Sequence, residues 1–379
     1  MTFTAKIDVN EQDVLGALRG FFEDILKIEE ISAILVPQRL PGKNMVMPTL
    51  VTDPDQLKGA DPLAPAFSMN AAKILSRLTR KPIGSKVAVV LRPCEIRAFV
   101  ELVKLKQCQT DEVVLIGVDC LGAFQNKDYV QYVERQGTES TVSFYQSVLD
   151  GNPAAIDGTA LASACRSFEN PVPLNADILI GLFGVEVKDY LMVQSQTECG
   201  AELLSQLDLG EIDEPASRQD AVTAIVAQRK DRRDEMIAQT REATNSLEKM
   251  TAYFANCVNC YNCRVACPVC YCKECVFVTD VFNHDPSQYL RWANRKGIIK
   301  MPTDTLFFHL TRLAHMSTSC VGCGQCSNAC PNDIAVMELF RTVADGTQQA
   351  FEYEAGKSIE QEPPLAVFYE DEFPEVVGI

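Results

Sequence analysis

Long apolar runs are missing from this chain. No stretch approaches the roughly 20 consecutive apolar residues needed to cross a bilayer, and Met1 to Asp13 carries early acids and no apolar segment of signal-peptide length. The expectation is a cytoplasmic protein without a membrane span. Positive charge is also short: 35 lysines and arginines face 51 aspartates and glutamates, a formal charge of -16. A nucleic-acid partner would demand a basic face, so nucleic acid is excluded; the acidity serves either solubility or an acidic docking surface. Histidine is limited to His284, His309 and His315, and tryptophan to Trp292. No H-E-x-x-H, no Ser/His/Asp or Cys/His nucleophile, no P-loop and no G-x-G-x-x-G is legible, which removes zinc proteolysis, covalent hydrolysis and a conventional Rossmann dinucleotide site.

Cysteine, by contrast, is abundant. Sixteen cysteines in 379 residues would mean disulfides in a small secreted domain, but in a long chain with no export signal they point to metal ligation. Eleven lie between Cys257 and Cys330, while Cys94, Cys108, Cys120, Cys165 and Cys199 are scattered through the first two hundred residues.

From Gly84 to Gly200 strand and helix signals alternate. Lys86 to Leu91 and Glu112 to Val118 are near-continuous apolar strands, separated by Arg92-Pro93-Cys94-Glu95, which opens a helix with proline at its start. Such a pair implies a parallel βαβ unit buried on both faces, extended by Ala176 to Phe183 and Tyr190 to Val193. Ligands of such sheets sit beyond the carboxyl ends of the strands, where Cys94 and Cys120 fall; the alternative is that each is an inert packed thiol. The chain thus divides into an α/β domain with a mainly parallel sheet (1–215), a long, largely solvated linker helix (216–256), a ferredoxin-like domain (257–350) and an extended acidic tail (351–379). The basic run from Arg229 to Arg233 reads as a wet helix face. In the tail, acids interleave with Phe368, Tyr369, Phe373 and Val377, which suggests docking on a partner or folding back over the chain itself.

Cys257, Cys260, Cys263 and Cys267-Pro268 follow C-x2-C-x2-C-x3-C-P, and Cys320, Cys323, Cys326 and Cys330-Pro331 repeat it. In this arrangement three thiolates hold one 4Fe-4S cubane and the fourth reaches the other. The expected sets are Cys257, Cys260, Cys263 and Cys330 on one cluster, with Cys320, Cys323, Cys326 and Cys267 on the second. The 52 residues between Cys267 and Cys320 form an insertion. It opens with Cys270, Cys272 and Cys275, which with one donor from Cys94, Cys120 or Cys165 would hold a third 4Fe-4S cluster; otherwise they shield the first two.

Over roughly Met47 to Leu204 the chain resembles the beta subunits of coenzyme F420-reducing hydrogenases and related formate dehydrogenases. The carriers are Met47-Pro48-Thr49, Leu57-Lys58-Gly59-Ala60, Ala66-Phe67-Ser68-Met69-Asn70, Pro93-Cys94-Glu95-Ile96, Gly117-Val118-Asp119-Cys120, Cys165-Arg166, Ala176-Asp177-Ile178 with Gly181, and Thr197 with Gly200. The family often has a second cysteine where Phe168 stands and an aspartate where Leu182 stands.

What the resemblance implies is a flavin-type α/β domain binding FAD, with Ser68, Asn70, Thr197 and Gly200 among its contacts. It implies an electron-transfer subunit of a formate dehydrogenase, hydrogenase or heterodisulfide-reductase-type complex. Its partners would be catalytic and electron-accepting subunits and a soluble carrier: a deazaflavin coenzyme, nicotinamide or ferredoxin. A flavin-free relay and docking subunit, or a free-standing ferredoxin-dependent reductase, are the alternatives.

Overall fold

A computed structural model of the chain describes residues 3–151, 156, 158–279, 285–296 and 304–366. His284, the side chain of Trp292 and the tail aromatics from Phe368 onward lie outside the described residues. No helix among those described is long and apolar enough to cross a membrane.

Eight strands form one sheet: β1 (Thr4–Asp8), β2 (Ile31–Arg39), β3 (Val46–Val51), β4 (Lys86–Leu91), β5 (Val113–Val118), β6 (Ile178–Gly181), β7 (Tyr190–Ser195) and β8 (Gly210–Glu211), in the order β3-β2-β4-β5-β6-β7-β1-β8. The centre, β2-β4-β5-β6, is parallel. The β2/β3, β6/β7, β7/β1 and β1/β8 pairs are antiparallel, so the sheet is mixed and not mainly parallel. The central strands KVAVVL, VVLIGV and ILIG are covered on both faces, as their unbroken apolar runs require.

On one face lie α1 (Val14–Lys27), which buries Leu18, Phe21, Phe22 and Ile25, and part of the β5–β6 crossover. On the other face α2 (Ala72–Leu78) packs with α3 (Pro93–Lys104). The crossover contains α4 (Asn126–Gln136), α5 (Ser140–Leu149) and α6 (Ser163–Arg166); α7 (Glu198–Leu204) follows β7, and then comes the 29-residue α8 (Ala216–Thr244).

Although α8 is mostly exposed, it is not simply a wet connector. Arg229, expected on a solvated face, is 4 % exposed and donates to the carbonyl of Cys120 at 2.7 Å. Arg218, equally buried, makes a two-point contact with Asp119 at 2.7 and 3.2 Å. Two arginines on one helix thus fasten the loop at the carboxyl end of β5.

The remaining helices are α9 (Leu247–Tyr253), α10 (Asn262–Ala266), α11 (Pro286–Lys296), α12 (Asp304–Met316), α13 (Gln325–Asn328) and α14 (Val336–Ala350). Their core is continuous with that of the α/β region: Phe254, Phe308, Leu313, Val321 and Phe340 pack in one cluster with Leu75, Phe99 and Leu102. The start of the tail differs from the expected extended form. Tyr353 is buried, donates its hydroxyl to Glu101 and shares that carboxylate with Lys104 and the Gly356 amide. A buried carboxylate needs such donors, and they tie 351–357 to α3.

Candidate functional site

Each cysteine run turns through two left-handed residues at matching places: Asn259 and Tyr261 (φ 52° and 58°) in the first, Gly322 and Gly324 (φ 72° and 80°) in the second. Glycine adopts this backbone freely, while asparagine and tyrosine adopt it at a cost. The shared geometry folds both runs around a centre. Aligning the repeats, with Asn259 on Gly322 and Tyr261 on Gly324, was the sequence signal for it.

The chain brings Cys263 together with Cys257, Cys260 and Cys330, and these four line a common cavity with Phe308 and His309. Cys326 gathers with Cys267, Cys320 and Cys323. Each set therefore takes three thiols from one run and the proline-flanked thiol from the other, with α10 against α13. Among the described residues no group of three or more donors converges on a single ion. Burial pushes the Cys263 thiol up to about 11 and raises those of Cys320, Cys323 and Cys326; ionised thiolates arise in such surroundings when a metal replaces the proton.

Two polar side chains from α12, which sequence reasoning missed, complete this region. Arg312, 3 % exposed, donates to Cys263 Sγ and to the Cys263 carbonyl, both at 3.2 Å. It has no carboxylate partner among the described residues, and lies between the faces of Phe308 and Phe340. Burial opposes its charge, but Cys263, Cys267, Cys326 and Cys270 favour it and hold it above its ordinary value. An uncompensated buried cation is costly, so anionic centres on both sides are what this residue fits. His309 stacks on Phe254 at 3.8 Å, with Nε2 3.4 Å from Cys257 Sγ. Burial, reinforced by Arg312, lowers its pKa to about 3; a neutral imidazole protonated on Nε2 donates to that sulfur.

The other sequence candidates fall elsewhere. Cys94, Cys120 and Cys165 gather with one another and with Cys323, around Phe67, Ala123 and Phe168. They do not meet the Cys270, Cys272 and Cys275 loop, as a mixed third site would need. Cys270 instead sits by Cys267, Cys272 and Arg264, with Lys73 close to both Cys267 and Cys270, and Cys272 is exposed. The reason is topological: Cys94 and Cys120 end adjacent parallel strands, and the loop lies beyond Cys267 on α2.

The four residues implied as flavin contacts are not one site. Ser68 donates to the Val46 carbonyl, and Asn70, buried beside Cys323, accepts from the Ala72 amide. Both lie near the carboxyl ends of the parallel strands, where Ala71 also bonds Glu95. Thr197 and Gly200 are at the opposite edge, because β7 runs against β6 and ends where β6 begins. Thr197 caps α7 through the Gly200 amide and donates to Asp177 at 2.6 Å. A Cβ at Gly200 would stand 2.0 Å from the Asp177 carbonyl oxygen, so both residues serve packing.

A cleft of about 630 Å³ lies between β6/β7, α8, α14 and the start of the tail, with Cys320 in its wall. This is within the 300–1,000 Å³ typical of organic ligand sites. Leu179, Val222 and Val226 give it an aliphatic side; Arg233 and Arg341 share Glu169, while the exposed Lys230 has no carboxylate partner among the described residues.

Comparison with known proteins agrees with the two halves. Residues 253–334 match the 4Fe-4S dicluster domain family, and residues 84–217 match the family described as the C-terminal part of the coenzyme F420 hydrogenase/dehydrogenase beta subunit. The F420-dependent formate dehydrogenase subunit beta of Methanocaldococcus jannaschii is 25 % identical over 86 % of this chain and 87 % of its own. The F420-dependent formate dehydrogenase 1 subunit beta of Methanococcus maripaludis is 25 % identical over 92 % of each. A solved chain of the F420-reducing [NiFe] hydrogenase complex from Methanosarcina barkeri aligns with 65 % of this chain and 94 % of its own, at 16 % identity and a TM-score of 0.46, too loose a likeness to carry weight.

Proposed function

We propose that this chain, which carries over residues 84–217 the beta-subunit domain of the coenzyme F420 hydrogenase/dehydrogenase family, is the FAD and iron-sulfur electron-transfer subunit of a multisubunit oxidoreductase of formate dehydrogenase or hydrogenase kind. The observation carrying this reading is the interlocked pair of four-cysteine sets, one of which presents Cys320 to a cleft large enough for an organic redox cofactor.

Cys257, Cys260, Cys263 and Cys330 would hold one 4Fe-4S cluster, and Cys267, Cys320, Cys323 and Cys326 the other. FAD, when bound, supplies the exchange between electron pairs and single electrons. In the cleft, the aliphatic side suits a flat ring and Lys230 suits a phosphate. The residues there bind, orient and keep water from the Cys320 side. The relatives' names make a deazaflavin coenzyme the first candidate for soluble carrier, with nicotinamide or ferredoxin able to fill the same role, and a catalytic subunit the protein partner.

Anaerobic purification tests this: about eight or more irons per chain with one FAD supports it, and Lys230→Glu should lower flavin occupancy while leaving iron unchanged. Cluster-replete protein that holds no flavin at any stage would remove the flavin. That outcome matches a second reading, a flavin-free relay and docking subunit, which the separation of Ser68 and Asn70 from Thr197 and Gly200 favours.

A further inference from the structure

Among the described residues, eight of the fourteen large apolar side chains left in solvent fall between Val258 and Leu310. Singly such residues need no explanation, but these are joined. Val258, Val265, Val276 and Val278 are 44–58 % exposed, and a line of rings connects them: Tyr261 meets Phe308 at 4.8 Å and Phe308 meets Phe277 at 5.1 Å. Val276 and Val278 flank Phe277 in the chain, and Val258 lines the cavity of the Cys257 set together with Tyr261 and Phe308. Val265 stands one turn after Tyr261 on α10, its amide bonded to the Tyr261 carbonyl.

The same face is where the cysteine sets reach the surface. Of the eight thiols in the two sets, all among the described residues, only Cys260 is exposed. With Cys320 in the wall of the cleft, the two sets run from an inner cavity to this exterior. Cations border the patch. Lys73 on α2 donates to the Val265 carbonyl, with Arg77 and Arg264 beside it, and Lys273 is exposed next to Cys272. None of these four has a carboxylate partner among the described residues, and the buried Nε of Arg264 has no hydrogen-bond partner there. Over residues 257–316 seven lysines and arginines stand against four aspartates and glutamates, in a chain whose net charge is -16. An apolar centre inside a charged rim is the anatomy of a protein interface, and a basic rim selects an acidic partner. Rim charge acts on encounter rate more than on affinity, which suits a partner that comes and goes.

We propose that this face receives an acidic, soluble iron-sulfur carrier protein of ferredoxin type, which exchanges electrons with the cluster of the Cys257, Cys260, Cys263 and Cys330 set. Each encounter moves one electron: one centre is oxidised by one as the other is reduced by one, and no bond forms or breaks. The proposal rests on the iron-sulfur reading above and adds to it the place where single electrons enter or leave.

The probe is an acidic plant-type 2Fe-2S ferredoxin, whose spectrum is distinct from that of the cubanes. It is mixed anaerobically with the cluster-replete full chain, each reduced in turn, and exchange is followed by stopped flow. The second-order rate constant should fall about tenfold as salt rises from about 50 to about 500 mM. The R77E/K273E variant should lower the low-salt rate constant about tenfold, and V265E/V276E should lower it at every salt concentration. Both should keep wild-type iron content and reduction by dithionite, which needs no docking. Lys27→Glu, on α1 against the opposite face of the sheet, should match the wild type. Arg77 and Lys273 are both exposed, so the charge variant keeps the test open if the apolar one misfolds. Salt-independent exchange, unchanged rates in both patch variants, an equal loss in Lys27→Glu, or no exchange in either direction by clusters that dithionite reduces overturns the docking face. Protein that holds no iron overturns the iron-sulfur reading itself.

Discussion

The Arg312 guanidinium donates to Cys263 Sγ at 3.2 Å while lying close to Cys267 and Cys326 of the other cysteine set. One buried cation is therefore shared by both centres. Reduction of a cluster adds negative charge, so a fixed positive charge beside it favours the reduced form. Arg312→Gln should lower the midpoint potential of both centres by on the order of 60 mV, the equivalent of a tenfold change in a one-electron equilibrium, whereas Arg312→Lys should recover part of the shift. An EPR-monitored redox titration checks it; equal potentials in all three proteins would show that Arg312 only packs.

The exchange of Cys267 and Cys330 between the runs makes the two clusters one folding unit. Cys323→Ser should remove its own cluster and make the neighbour labile to chelator, since metal binding there is also folding energy. Cys108→Ser, at a buried thiol with no other cysteine around it, should leave iron unchanged. Retention of a fully stable second cluster in the Cys323 variant would argue for independent sites.

Asp119 is enclosed by Arg218 and by the Leu182 and Phe183 amides. Asp119→Asn leaves the Arg218 charge buried without its partner, a change that typically costs 3–5 kcal/mol. The variant should unfold at distinctly lower denaturant. A loss below about 1 kcal/mol would mean that Arg218 finds compensation at Glu214, 3.7 Å away.

The tail beyond residue 366 carries the aromatic and acidic residues expected to dock on a partner. Deleting Asp371 to Ile379 should leave cluster content intact and abolish co-purification with the complex. Intact assembly with labile clusters would instead mean that this segment covers its own chain.

What the sequence made legible was local. The two cysteine runs announce their chemistry because ligand spacing lies within a dozen residues, and the apolar strands β4, β5 and β6 because their burial on both faces leaves no polar interruption. Pairing between distant segments was not legible. Nothing in Thr4–Asp8 says that it lies against Tyr190–Gln194, and without the reversal at β7 Thr197 and Gly200 could not be placed on the edge away from Asn70. The buried arginines were missed for a different reason. Arg218 and Arg229 stand in a polar helix where charge is ordinarily solvated, Arg312 stands in an apolar one with no carboxylate spaced to meet it, and only the fold reveals the carboxylate, carbonyls or thiol that each one meets.

Under the proposed function, single electrons from the clusters and electron pairs from a soluble carrier meet in this chain. Mixing the anaerobic, oxidised full-length protein with reduced deazaflavin coenzyme and following the cluster absorbance puts this to the test. Bleaching of the iron-sulfur band, in protein with one FAD per chain and lost when the flavin is removed, is the result predicted. Clusters that stay oxidised with flavin bound and the carrier in excess would contradict it.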